Sequence, residues 1–319
     1  MKNRFLILLS FVLIVGRDVV CANTSMVRER ININRDWRYQ IDDPDGVGAA
    51  LHYSRLKPYL LPCANDFIIF GKRYQRPEGN PGENIAYVKS DFDDSEWRHL
   101  NLPHDWAIEG PFNIDYNGST GKLPYWGIRW YRKTLELSQD DAGKQIYLDI
   151  DGAMSYVSVW CNGQYVGGWP YGYASFRLDL TPYIKAGQKN VLAIRLDNPD
   201  DTSRWYPGSG IYRNVWLVKT SPVHVEQWGT FVRNQQVDSE IAVMEMGVNI
   251  ENHAGKDVQV KLQTSVYLQG KDGRPVGEEV TQSMTKDIAI KKDSWSSARF
   301  QFKVDKPKLW DIDTPNCYV

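Results

Sequence analysis

The sequence predicts an all-β protein, on three observations. Apolar residues recur with a period of two in short runs: Ile146, Leu148 and Ile150 alternate with Tyr147 and Asp149, and Phe176, Leu178 and Leu180 with Arg177 and Asp179. Turn-forming residues interrupt these runs roughly every 8–12 residues, the spacing of a sandwich or jelly roll. No long stretch carries the 3.6-residue period of an amphipathic helix. The 319 residues leave room for two domains and a sizeable core. With 38 basic and 39 acidic residues the net charge is near zero, which argues against a nucleic-acid partner. The 12 Trp and 18 Tyr serve sandwich cores more commonly than sugar sites, but suit both.

Taken in order, residues 1–22 read as an export signal. Lys2 and Arg4 precede the apolar run Phe5–Val15, and Val20-Cys21-Ala22 offers a cleavage pattern, so a mature chain begins at Asn23. The run is shorter than the about 20 residues a membrane span needs. A lipoprotein anchor at Cys21 ranks below cleavage, because Val20 stands where such signals want a small residue. The expected address is periplasmic or extracellular.

Ile31–Tyr39 alternates apolar and polar residues and is expected to form one opening strand. From about 42 to 90 the pattern is broken by Pro44, Pro58, Pro62, Pro77 and Pro81, with Phe67–Phe70 as the one strong apolar run. This reads as an insertion without a core of its own. Phe92 and Trp97 look like core anchors, and Leu100 and Leu102 lead into a strand that Pro103 ends. His104 and Asp105 therefore sit at a strand end, where loops carry chemistry on a rigid scaffold. His104 suits a backbone hydrogen bond at least as well as a substrate, whereas Asp105 is the better sugar-facing carboxylate.

Phe112–Pro124 is a long loop rich in Gly and Asn, holding Asn113 and Asn117. Strands follow at Tyr125–Leu137 and Gln145–Asp151. Asn162-Gly163, between the runs Tyr156–Trp160 and Gln164–Trp169, signals a type I′ hairpin. After Phe176–Leu180, Thr181–Ile184 suggests one helical turn. The most informative stretch is Asn190–Val218. Val191, Ala193 and Arg195 alternate with Leu192, Ile194 and Leu196, so both faces of this strand can find partners. Pro199 stops it, since proline cannot donate to a ladder. The loop beyond offers the side chains a polyol needs: Asp197 and Asn198 for hydroxyls, Arg204, and Trp205 and Tyr206 for the apolar sugar faces. An ordinary surface loop is the competing reading.

Ser221-Pro222 marks a boundary. Strands are expected near Thr230–Arg233, Ile241–Glu251, Val258–Tyr267, Gly277–Ile290 and Trp295–Val304, an immunoglobulin-like sandwich. Removal of the signal leaves Cys63, Cys161 and Cys317. A Cys63–Cys161 bridge stays open, with isolated thiols the preferred reading. Histidines 52, 99, 104, 224 and 253 lack metal-binding spacing, and neither a GxSxG elbow nor a P-loop is present, so no cofactor or metal is expected. Asp93-Asp94 and Asp200-Asp201 read as calcium-competent but more simply as solvated turn acids.

Four ordered segments carry a family resemblance: Phe92–Trp97 leading to Leu102–Trp106, Gly127–Lys133, Gly152-Ala153 through Val159–Gly163, and the run from Arg195 to Leu217. Together they resemble glycoside hydrolase family 2, the β-galactosidase and β-glucuronidase family. The resemblance implies a jelly-roll sugar-binding domain over 23–221 and an immunoglobulin-like domain over 222–319 that is cut short before its last strand. It also implies a substrate-binding role for Asp197, with Asn198, Arg204, Trp205, Asp105 and His104 beside it, and a weaker one for Asn113 and Asn117.

Retaining glycosidases need two carboxylates about 5–5.5 Å apart, which in this family stand on a (β/α)8 barrel of roughly 250 residues. The sequence shows no alternating strand–helix pattern for one. The chain is therefore expected to be the non-catalytic front of an exported glycosidase, most like a β-galactosidase, and inactive alone. A free-standing carbohydrate-binding protein and an inert fragment are the alternatives. The expected partner is a β-galactoside-like carbohydrate. A second copy of the chain, or a separate catalytic segment, could meet the edge that the shortened domain would expose.

Overall fold

The computed structural model describes residues 28–68, 72–200 and 208–319. It consists mostly of strands in two sandwiches. The first is built from β1 (Glu29–Asn32), β2 (Trp37–Ile41), β3 (Arg98–Leu100), β4 (Gly127–Glu136), β5 (Gln145–Ile150), β6 (Val157–Cys161), β7 (Gln164–Trp169), β8 (Phe176–Asp179), β9 (Lys189–Asn198) and β10 (Val215–Thr220). One sheet runs β1-β10-β5-β8 and the other β3-β2-β4-β9-β6-β7, with antiparallel pairing throughout. The single opening strand expected over Ile31–Tyr39 is two. Asp36 adopts a left-handed conformation (φ 58°), so the chain leaves one sheet and enters the other. Asn162 and Gly163 both have positive φ, at 51° and 79°, as a type I′ hairpin requires.

Between the sheets, alternate residues interlock: Trp37, Tyr131, Leu148, Ile150, Val159, Leu192, Ile194 and Leu196 belong to one buried cluster. The residues between them on β4, β6 and β9 face the other way and are buried too. Trp130, Trp160 and Ala193 pack against Val47, Leu51, Leu56, Leu60, Ile85 and Val88 from the segment expected to lack a core. The segment has no core of its own and borrows one from the sheet. The segment carries one helix, α1 (Tyr53–Leu60), and forms a third layer over the six-stranded sheet. Its apolar residues are too scattered to build a core alone, and the sheet supplies the missing half.

Two arginines are buried under this layer, and acids reach in to meet them. Asp94 Oδ2 accepts from Arg132 Nε at 2.7 Å, so Asp94 is an ion-pair partner rather than a solvated turn acid. Asp93 caps the Ser95 amide at 3.0 Å. Cys161 and Cys317 are free thiols, so no Cys63–Cys161 bridge forms, and burial pushes the Cys161 thiol up to about 12.

The second sandwich comprises β11 (Val223–Val237), β12 (Ile241–Asn252), β13 (Val258–Thr264), β14 (Leu268–Gln269), β15 (Pro275–Val276), β16 (Met284–Ile290) and β17 (Ser294–Asp305). The sheet β11-β12-β17 faces the β13-β16 pair across Val248, Ile250, Ile288, Ile290 and Phe300. The strand expected over Gly277–Ile290 is shorter, and a small β14-β15 hairpin precedes it. The register of β11 against β12 breaks between Val225 and Thr230, where Glu226–Gly229 stand opposite Asn249 alone. The two sandwiches meet where Tyr147 packs on the His224 ring, centroids 5.8 Å apart, and where Arg28 donates to Val225 O.

Candidate functional site

β9 ends at the expected sugar loop, and the alternation of the strand decides what each of its last two residues can reach. Asn198 turns inward and is 2% exposed. Its Nδ2 donates to Tyr125 O at 2.8 Å and Gly208 O at 3.2 Å, while its Oδ1 accepts from Ser155 Oγ at 3.0 Å. Every polar atom of the amide is thus engaged by the protein, and it clasps the two ends of the loop. Asp197 turns to the opposite side, where Oδ2 accepts from Arg195 Nη1 at 3.3 Å with a quarter (25%) of the side chain still exposed. The two residues do not address a common ligand side by side.

His104 follows a cis Leu102–Pro103 peptide and is held from all sides. Its amide donates to Ile211 O at 2.9 Å, Nδ1 meets Tyr131 Oη at 2.7 Å, and Nε2 meets Glu109 Oε1 at 3.2 Å. Arg98 grips both oxygens of Glu109 at 2.7 Å. Burial lowers the His104 pKa, with the Glu109 charge opposing that shift. The His104 backbone amide thus ties the strand end to the loop after Gly210, while its imidazole links Tyr131 on β4 to Glu109.

Asp105 is different. Oδ1 accepts from the Ala107 amide at 2.9 Å, and the Ser209 amide also donates to the carboxylate. Burial raises its pKa, against the pull of those two donors. The loop comes down onto it through glycines. A Cβ on Gly208 would stand 3.9 Å from Met154 Sδ and from Tyr212 Cδ1, and 4.0 Å from Asp105 Oδ2. A Cβ on Gly210 would stand 2.7 Å from Tyr131 Oη and closer still to His104 O, at a φ of 78°. Gly208 therefore faces a small cradle with a carboxylate on one side, a thioether and an aromatic ring on the others. Tyr125 Oη donates to Asp200 Oδ1 at 2.7 Å at the rim.

Arg204 and Trp205 lie outside the described residues, as does Asp201. Asn113 Oδ1 accepts from the Asp115 amide at 3.0 Å, and Asn117 Oδ1 from the Ser119 amide at 2.9 Å. The reading by residue type missed Tyr125, Met154, Ser155 and Ser209. Tyr125 and Ser209 could have been suspected from their place beside strand ends; nothing local marks Met154 or Ser155. Asp105 offers a carboxylate acceptor beside Gly208, and Asp197 offers another on the face of β9 opposite Asn198. Among the described residues no group of three metal-ligating side chains stands together.

The profile described as "Glycosyl hydrolases family 2, sugar binding domain" matches residues 86–221, and that of "Glycosyl hydrolases family 2" matches 223–319. The chain is 40% identical over 304 residues to beta-galactosidase BoGH2A of Bacteroides ovatus, covering 94% of this chain and 30% of that protein. It is 34% identical over 263 residues to a putative beta-glucuronidase of Formosa agariphila, covering 79% of this chain and 24% of the other. A crystal structure of a glycosyl hydrolase family 2 member from Bacteroides cellulosilyticus superposes with a TM-score of 0.71 at 26% identity, over 91% of this chain and 32% of that one. A beta-glycosidase from Bacteroides vulgatus gives 0.65 at 30% identity, over 91% and 31%. The chain thus spans about a third or less of the length of these relatives.

Proposed function

This chain belongs to glycoside hydrolase family 2, and from that premise we propose that it forms the non-catalytic wall of a sugar subsite in an exported β-galactosidase-like glycosidase. The observation that carries the reading is the cradle at Gly208. Asp105 is fixed there by two backbone donors with one oxygen turned toward the loop, beside Met154 and Tyr212. Carboxylate and apolar surface together are what a pyranose ring selects, through its hydroxyls and its C–H faces. Asp197 supports the reading more weakly, as an acceptor tethered by Arg195 on the other side of β9.

The catalytic pair lies elsewhere in the assembled enzyme. Hydrolysis with retention needs a nucleophile and an acid/base at close range, whereas Asp105 and Asp197 stand on opposite sides of β9. Their task is to hold hydroxyls and orient the sugar. Preference for β-galactosides is supported by the 40% identical relative that carries that name. Export is supported by the signal-like pattern of residues 1–22.

The test is an assay of residues 23–319 on nitrophenyl β-galactoside. The expected result is turnover no greater than a buffer blank. Turnover that disappears in Asp105→Asn or Asp197→Ala would assign catalysis to this chain and overturn the reading.

A further inference from the structure

A cavity of about 420 Å³ lies between the two sandwiches, away from the Gly208 cradle. The cradle adjoins the loop that enters β10, and this cavity lies toward the other end of β10, where Tyr147 pairs with Val218. Its walls combine the rings of Trp228, Phe67 and Tyr147 with Asp179, Glu226 and Gln227.

Trp228 is the unusual member. It sits in the break of β11, where Glu226–Gly229 stand opposite Asn249 alone. A break of this kind re-aims side chains that a regular strand would alternate across the sheet. Gly229 makes it fit, since a Cβ there would lie 2.7 Å from Glu226 Cβ and 3.1 Å from Asn249 O. Trp228 itself is left-handed, at φ 54°, and its ring is 65% exposed. Packing of this domain's core does not require the ring, so its position reports on the cavity rather than on the sandwich. Phe67, 56% exposed, reaches it from the first domain with centroids 6.5 Å apart and planes tilted by 44°. At that separation nothing fits between the rings, and they form an angled platform on one side of the cavity.

The polar wall selects among ligands for such a platform. Arg177 is spent on Asp149, with Nε–Oδ1 at 2.6 Å and Nη2–Oδ2 at 2.8 Å. Glu251 is shared by His224 and His253 at 3.3 and 3.4 Å. That leaves Asp179 and Glu226, which form no ion pair among the described residues and accept only from the Thr181 amide and Asn249 Nδ2. Gln227 adds an amide. Two acceptors outside any ion pair, an amide and an aromatic platform suit hydroxyl groups, and their charges, only partly offset by His253 near Asp179, disfavour an anion.

We propose that the interdomain cavity is an ancillary binding site for a neutral saccharide unit, stacked on Trp228 and hydrogen-bonded by Asp179, Glu226 and Gln227. The two carboxylates disfavour uronic and sulfated sugars relative to neutral ones. The site is separate from the Gly208 cradle, so a glycan could engage both places or either one.

The experiment is saturation-transfer NMR and calorimetry on the chain with lactose, cellobiose and glucuronic acid. A neutral disaccharide is expected to bind and glucuronic acid to bind more weakly. Trp228→Ala should weaken binding about tenfold or more, and Asp179→Asn should weaken it several-fold, both with unchanged melting because the two side chains are exposed. The share of binding that Trp228→Ala removes should persist in Asp105→Asn. The proposal is overturned if neither disaccharide binds, if glucuronic acid binds as well as they do, or if Trp228→Ala and Asp179→Asn both bind like the parent. Binding lost in Asp105→Asn but retained in Trp228→Ala would assign it to the cradle, which would uphold the proposed function and refute the ancillary site.

Discussion

Asp43 grips the buried guanidinium of Arg195 with both carboxylate oxygens, Nε–Oδ1 and Nη2–Oδ2 each at 2.8 Å. Arg195 is 1% exposed and also reaches Asp197 at 3.3 Å. One acid from the covering layer thus supports an arginine that orients a candidate sugar-binding acid. Asp43→Ala should leave that buried charge with only its weaker partner. Loss of one half of a buried pair costs about 3–5 kcal/mol. Urea unfolding followed by tryptophan fluorescence checks this, and a loss below about 1 kcal/mol would mean that the covering layer contributes little at this point.

Asn198 predicts a local effect. Its replacement by alanine strips Ser155 Oγ, Tyr125 O and Gly208 O of a partner in a dry environment. Unsatisfied buried polar groups cost about 1–3 kcal/mol each way they are counted. Hydrogen exchange should accelerate at the amides of Ser209 and Gly210 while the β5–β10 ladder stays protected. Uniform acceleration across the domain would show that the amide supports the whole sandwich and not the loop.

Gly210→Ala should be among the least tolerated substitutions of the loop. The left-handed backbone already disfavours alanine, and the added carbon would press on Tyr131 Oη. The expected result is a destabilisation of about 2 kcal/mol or more, together with a weaker His104–Tyr131 contact. Thermal melting measures the first. An alanine variant that melts with the parent would show that the loop can retreat.

The imidazole cluster of the second sandwich gives a pH signature. Glu251 accepts from His224 and His253, which holds its carboxyl down at about 2, and the same bonds raise the pKa of His253. A raised histidine stabilises the fold fully below its unfolded value near 6.5 and loses that contribution as pH rises through its folded value. Glu251, being lowered, contributes above its unfolded value and loses that as pH falls toward about 2. His104 works in the opposite sense, since burial lowers it and its protonation at acid pH opposes folding. The stability gained between pH 8.5 and 5.5 should therefore be larger in the parent than in Glu251→Gln. Equal pH profiles for the two proteins would remove the cluster as a source of stability.

Much of this was legible in the chain, and the rest failed for identifiable reasons. The alternation of β5, β8 and β9 announced the sheets, and the two-sided apolar pattern of β9 already implied a partner on each face. The covering layer stayed hidden because Val47, Leu51, Leu56, Leu60, Ile85 and Val88 are spread among prolines and become a core only against Trp130 and Trp160. The break at Asp36 was missed because a single left-handed aspartate does not disturb an alternating pattern. At the site, Asp197 and Asn198 were grouped by chemistry, although a period of two separates them. His224 and Glu251 meet only because β11 and β12 pair them directly, a register that composition does not reveal.

The six-stranded sheet covered on both faces has a consequence for how freely this chain can drift. A sheet with one wet face tolerates exchange at every second position. On β4, β6 and β9 that freedom is withdrawn: Trp130, Trp160 and Ala193 answer to the covering layer as strictly as Tyr131, Val159 and Ile194 answer to the opposite sheet. A saturation library over these strands should show intolerance at consecutive sites rather than the usual alternate ones, whereas β8, exposed along part of one side, should keep the two-residue rhythm.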